Sequence, residues 1–191
     1  MALAAKGIDY RHEPVDIFAD AGVPQDYLAI HPFGKIPALR HRDFTLYETI
    51  AITRYIDEAF DGPSLQPAAP GQRARMTQIM CMADAYGYRP MVWDVYVERS
   101  SKPKRSEPPD EQRIAAAIPR VNTFLNSLNN AIAPGPWFLG TGPTLADFHV
   151  APMFGYFLLT PEGLDLIAQF PRLEAWWKHV AASNLWISAV A

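Results

Sequence analysis

His31-Pro32-Phe33-Gly34-Lys35-Ile36-Pro37-Ala38-Leu39, followed by Arg40-His41-Arg42-Asp43 and Phe44-Thr45-Leu46-Tyr47-Glu48-Thr49, is the stretch that decides the fold. Residues 35–39 read as a strand, residues 40–43 as a turn and residues 44–46 as a returning strand, which together make a hairpin. Residues 49–60 then place Ile52, Tyr55, Ile56 and Ala59 at helical spacing, and Asp61-Gly62-Pro63-Ser64 stops that helix. Upstream, residues 8–15 partly alternate and predict a short strand that Pro14 confines to a sheet edge. One helical turn is predicted around residues 26–30. Residues 1–6 read as the end of a helix, with Lys6 at its negative pole and Gly7 in the capping position.

Downstream the pattern changes. Gln66-Pro67-Ala68-Ala69-Pro70-Gly71 has the composition of a linker, and no strand pattern follows it. Residues 72–88 are periodic, with Met76, Ile79, Met80, Ala83 and Tyr86 on one side, and Pro90 kinks rather than ends the helix. Residues 100–110 read as a polar loop. Ile114, Ile118, Val121, Leu125, Leu128 and Ile132 mark the core face of the next helix. Thr144-Leu145-Ala146-Asp147 opens another in the manner of a capping box, and Pro161 and Pro171 each start a further one. The predicted organisation is an α/β domain over residues 1–62, a linker over 63–71 and an all-helical domain over 72–191.

Composition narrows the function. The 191 residues are 49% apolar and 19% charged, with 17 Lys plus Arg against 20 Asp plus Glu, a net charge of −3. That balance offers no basic field for nucleic acid, and no apolar run reaches the length of a membrane span. The single cysteine, Cys81, excludes an internal disulfide and a cysteine-built metal cage, and fits a reducing, cytoplasmic setting. The five histidines lack ligand spacing, so no metal is expected. His149 and Cys81 read as packed core residues, and His31 as a loop residue bonding its own backbone. Lys102, Lys104 and Arg105 read as a solvated cluster offset by Glu107, Asp110 and Glu111.

Three segments in order carry a resemblance: residues 31–39, residues 46–56 (Leu-Tyr-Glu-Thr-Ile-Ala-Ile-Thr-Arg-Tyr-Ile) and residues 144–148 (Thr-Leu-Ala-Asp-Phe). The chain resembles the cytosolic glutathione transferase family over essentially its whole length. The resemblance implies a thioredoxin-like α/β N-terminal half, here incomplete, followed by an all-α bundle. It also implies a cis Pro37, with the backbone of Ile36 pairing with the cysteinyl part of glutathione as an added strand would. Glu48 would hold the γ-glutamyl ammonium. Thr49, at a helix N-terminus, would hold the γ-glutamyl carboxylate. Lys35, where the family often has Gln, would approach the glycyl carboxylate. Glutathione is thus the expected co-substrate, and a small hydrophobic electrophile its partner in a detoxification-type conjugation. The electrophile pocket is expected from Met82, Tyr86, Arg89, Met91 and Trp93, and the protein is expected to be a homodimer.

The chain departs from the family at its start. Met1 aligns with the middle of the family's first helix. A strand and the loop bearing the sulfur-activating Ser, Tyr or Cys, on the order of 15–20 residues, are expected upstream of it. The catalytic residue is therefore unassigned, with Tyr86, Tyr88 and Arg89 as substitutes from within the chain. The competing reading is a non-catalytic glutathione-transferase-like binding or scaffold module. Thiol–disulfide exchange would need a cysteine in the first half, and residues 1–62 contain none.

Overall fold

In the computed structural model, which describes residues 1–190, the chain divides into two units, Met1–Ser64 and a second beginning at Leu65. The first opens with α1 (Ala2–Ala5), and Gly7 at φ +65° closes it. The Gly7 and Ile8 amides return to the Ala4 and Leu3 carbonyls at 3.1 and 3.0 Å, a paired-amide cap that a glycine in left-handed conformation permits. Lys6 does not serve its own helix. Its Nζ reaches Asp57 Oδ1 at 2.9 Å and the carbonyls of Asp57 and Phe60 at 2.9 and 3.2 Å. It therefore caps α3 (Thr49–Ala59), fifty residues away in sequence, from a buried position.

The strand expected over residues 8–15 does not form. Local alternation makes a strand only where a neighbour takes up its amides and carbonyls, and Pro14 has no amide to offer. After α2 (Gln25–Leu28) come β1 (Ala38–His41) and β2 (Phe44–Tyr47), an antiparallel pair in register Ala38↔Tyr47 to His41↔Phe44. Arg42 at φ +55° makes the turn. The first strand thus starts after Pro37 instead of at Lys35, leaving Lys35, Ile36 and Pro37 as an exposed approach to it. Ile52 and Ile56 of α3 supply the buried apolar face, as their spacing predicts.

The second unit is helical throughout: α4 (Pro70–Met82), α5 (Lys102–Lys104), α6 (Glu111–Ala131), α7 (Leu145–Phe157), α8 (Pro161–Ile167), α9 (Pro171–Ala181) and α10 (Asn184–Val190). Leu65, within the expected linker, is 2% exposed and accepts the Leu145 amide, so it belongs to this core. Between α4 and α5 the chain stays helical but winds wider, over Ala83–Gly87 and Arg89–Ser101. The amides of Tyr88 and Lys102 bond five residues back, to Ala83 and Val97. Each such bond adds a residue to the turn, so an apolar stripe read at ordinary α spacing drifts off the core. Tyr86, expected on the buried face, is accordingly 66% exposed. Helix also fills the first part of the loop expected over residues 100–110.

Gly87 is where α6 comes close: a Cβ there would lie 2.5 Å from the Phe124 ring. Asp147 organises the other side of the bundle. One carboxylate oxygen accepts the Phe138 amide at 2.8 Å and the Trp176 indole at 2.9 Å. The other accepts the Thr144 amide and hydroxyl at 2.8 and 2.9 Å. Burial pushes the Asp147 pKa up, and these four donors oppose that rise. Cys81 is exposed, contrary to expectation, because α4 turns Met76, Ile79 and Met80 inward.

Candidate functional site

The register of the hairpin builds the site. Because Ala38 lies opposite Tyr47, the residues just outside the pair, Pro37 and Glu48, flank the same end of the sheet. Lys35, Ile36, Pro37, Glu48 and Thr49 therefore gather at one end of β1 and β2. The Ile36–Pro37 peptide is cis, and Ile36 is 56% exposed. Glu48 has φ +73° and ψ +118°, a conformation that a residue with a side chain adopts at a cost of about 1–3 kcal/mol. Its carbonyl accepts the Ile52 amide at 2.9 Å, so the strained residue is also the first acceptor of α3. Thr49 follows as the first residue of that helix, whose opening amides have no partner within the helix and favour an anion.

Two side chains brace this end: Tyr27, to which the sequence assigns no role, and His31, which takes a different one from that expected. The Tyr27 hydroxyl donates to the Lys35 carbonyl at 2.6 Å, holding the loop just before Ile36. Burial raises the Tyr27 pKa, which keeps the phenol protonated and donating. Contrary to expectation, the His31 side chain does not bond its own backbone. Its ring is buried among Tyr27, Phe33 and Tyr47, 4.6 Å from the Tyr47 ring, and so links the 31–37 loop to the strand that delivers Glu48. No local pattern announces either contact, since each joins residues eight to sixteen apart across a loop.

Residues 1–59 match the sequence model of the glutathione S-transferase N-terminal domain, and residues 111–179 match that of the C-terminal domain. The chain belongs to the glutathione S-transferase family. Glutathione S-transferase F13 of Arabidopsis thaliana is 27% identical over 184 residues, 95% of this chain and 84% of that protein. Glutathione S-transferase 3 of Zea mays is 28% identical over 191 residues, 99% of this chain and 85% of that protein. The solved structure of glutathione S-transferase III in apo form is similar with a TM-score of 0.86 at 28% identity, covering 99% of this chain and 87% of that one. The fold is the family's: a thioredoxin-like N-terminal half followed by an all-helical C-terminal half.

In the helical half of this glutathione S-transferase family member, the residues expected to line an electrophile pocket do not share one environment. Met91 is fully buried, Met82 and Trp93 are half-buried, and Tyr86 and Arg89 are exposed. Arg89 Nε donates to Asp94 Oδ1 at 2.9 Å. Among the basic residues read as a solvated cluster, Lys102 instead pairs with the buried Glu98 at 2.6 Å, while Arg105 pairs with Glu107 at 2.8 Å. His149 is buried, with Nε2 2.7 Å from Asp84 Oδ1. No described helix is long and apolar enough to cross a membrane.

Proposed function

We propose that this chain binds glutathione at the Pro37–Glu48 end of its hairpin and transfers the glutathione thiolate to a small hydrophobic electrophile. The observation that carries the reading is the pairing of an exposed Ile36 before a cis proline with a positive-φ Glu48 at the start of α3. The Ile36 backbone offers one amide and one carbonyl to an extended peptide. Glu48 offers a carboxylate to its ammonium, the α3 amides and Thr49 receive its γ-glutamyl carboxylate, and Lys35 receives the glycyl carboxylate. In the reaction the sulfur of the thiolate forms a bond to the electrophilic carbon. With an aryl halide, halide leaves with the bonding pair and the thiol proton passes to solvent.

The electrophile is received on the helical unit by Tyr86 and Arg89, which are exposed, and by Met82 and Trp93, which are half-buried; Met91, expected with them, is fully buried and offers it no surface. Tyr86 and Tyr88, both exposed, are the first candidate hydroxyls within the helical unit for stabilising a thiolate. The protein works as a cytoplasmic homodimer in this reading.

The test is titration calorimetry with glutathione, followed by an aryl-halide conjugation assay on the same preparation. Binding that Glu48→Ala weakens, with conjugation, supports the transferase. Binding without conjugation identifies a non-catalytic glutathione-binding module. No binding removes both readings. A sedimentation experiment at micromolar concentration decides the dimer.

A further inference from the structure

Asp94, in the widely wound segment, has a side chain only 4% exposed, yet three arginines converge on it. Arg89 Nε and Arg113 Nε each donate to Oδ1 at 2.9 Å, and Arg120 Nη2 donates to Oδ2 at 3.0 Å. One helical turn away, Glu98 is fully buried and takes Lys102 Nζ at 2.6 Å, Arg113 Nη1 at 3.0 Å and the Asp110 amide at 2.9 Å. Lys102 balances Glu98. Asp110 acts on Arg113, so Arg89 and Arg120 are left to share Asp94, with one positive charge over.

The three guanidiniums are not equally exposed. Arg113 bonds both carboxylates and is 33% exposed, whereas the Arg89 and Arg120 side chains are 65% and 56% exposed. Each reaches Asp94 and turns the rest of its fork to solvent. Arg89 and Arg120 bond different oxygens of one carboxylate, so two like charges are drawn to the same anion, an arrangement that an added anion relieves. Their orientation is set before any ligand arrives, so little side-chain freedom remains to be lost on binding. Guanidinium forks match paired oxygens better than a spherical ion.

We infer that Arg89 and Arg120 form a binding site for a doubly charged oxyanion, of the phosphate or dicarboxylate kind, on the helical unit. The site lies wholly within that unit; it shares Arg89 with the proposed electrophile residues, and its anion titration is read without glutathione.

The experiment is calorimetric titration of the whole protein at low ionic strength with inorganic phosphate and, separately, succinate. Sodium chloride at matched ionic strength is the screening control. The expected result is saturable binding of at least one of the two dianions. Arg89→Gln and Arg120→Gln weaken it at least tenfold, while Arg11→Gln, a change at an exposed arginine of the other unit, leaves it unaltered. Circular dichroism on each variant confirms the fold, which Arg113 continues to tie through both carboxylates. Which dianion binds names the oxyanion class. Three results overturn the inference: no saturable heat, equal binding by the arginine variants, or an equal response to chloride. A fourth is loss of self-association in Arg120→Gln without any anion effect, which would assign these arginines to a contact between copies.

Discussion

The two units solve opposite problems. In the first, Ala2, Ile52 and Ile56 are the buried apolar residues, and the residues of the proposed site lie open at the end of a two-stranded sheet. In the second, α4, α6, α7 and α9 all contribute buried side chains, and even the polar residues Asp94, Glu98 and Asp147 are buried with partners. Burial of apolar surface is the main favourable term in folding, so the helical unit has far more of it to draw on. The first unit depends on a few specific ties, chiefly Lys6 with Asp57. A thin core with a strained residue at its open end suits a binding edge, where local opening is tolerated.

That contrast can be broken at four places. The largest effect is expected at Asp147. Asp147→Ala strands two amides, a hydroxyl and an indole in the core, and the helical unit should lose roughly 3–5 kcal/mol, read by urea unfolding with tryptophan fluorescence. A loss under 1 kcal/mol would show that the core does not depend on this carboxylate. Next comes Lys6→Met, which takes the ammonium from buried Asp57 and should cost the first unit about 3 kcal/mol. Amide exchange should rise in α3 and stay unchanged in α7; a uniform rise would mean that the two units do not differ in stability as argued.

The third is acid sensitivity of the helical unit. Burial works against ionisation of Asp94 and Glu98, yet their cationic partners outweigh it and hold both pKa values below the ordinary carboxylate range. A depressed folded pKa gives stability that is present above the unfolded value, about pH 4, and is lost as pH falls through the folded value. The melting temperature should therefore drop steeply below about pH 4, and Asp94→Asn should flatten that limb. An unchanged limb in the variant would remove Asp94 from the explanation. The smallest effect on stability is at Glu48. Glycine adopts its φ without strain, so Glu48→Gly should leave the first unit as stable or about 1 kcal/mol more so. The same change should weaken glutathione binding by about 1.5–3 kcal/mol, the scale of a hydrogen bond to a charged group. Weakened binding together with lost stability would mean that Glu48 is structural.

Much of this was legible in the residues. The hairpin, the α3 spacing and the Thr144–Asp147 cap are local patterns, and local patterns survive in the fold. The cis Pro37 came by resemblance and is present. What failed were inferences in which a local pattern needed a distant partner. Residues 8–15 alternate but find no ladder. Lys6 has a helix end beside it and serves another one. Tyr86 left the core because the helix widened at Ala83, a change of winding that no spacing rule announces. Tyr27, His31 and Arg120 acquire their roles through contacts across loops or between helices, so nothing beside them in the sequence marks them out.

Lys6 also has a use as a reporter. Its ammonium is enclosed, with a side chain 2% exposed and three oxygens within 3.2 Å, while Lys178 on α9 is 71% exposed. An amine-acylating reagent can reach Lys6 only when the contact between α1 and the end of α3 comes apart. The ratio of label at Lys6 to label at Lys178, followed over time by mass spectrometry, is then a clock for the opening of the first unit. It needs no mutation and no ligand, and glutathione bound at the hairpin should slow it.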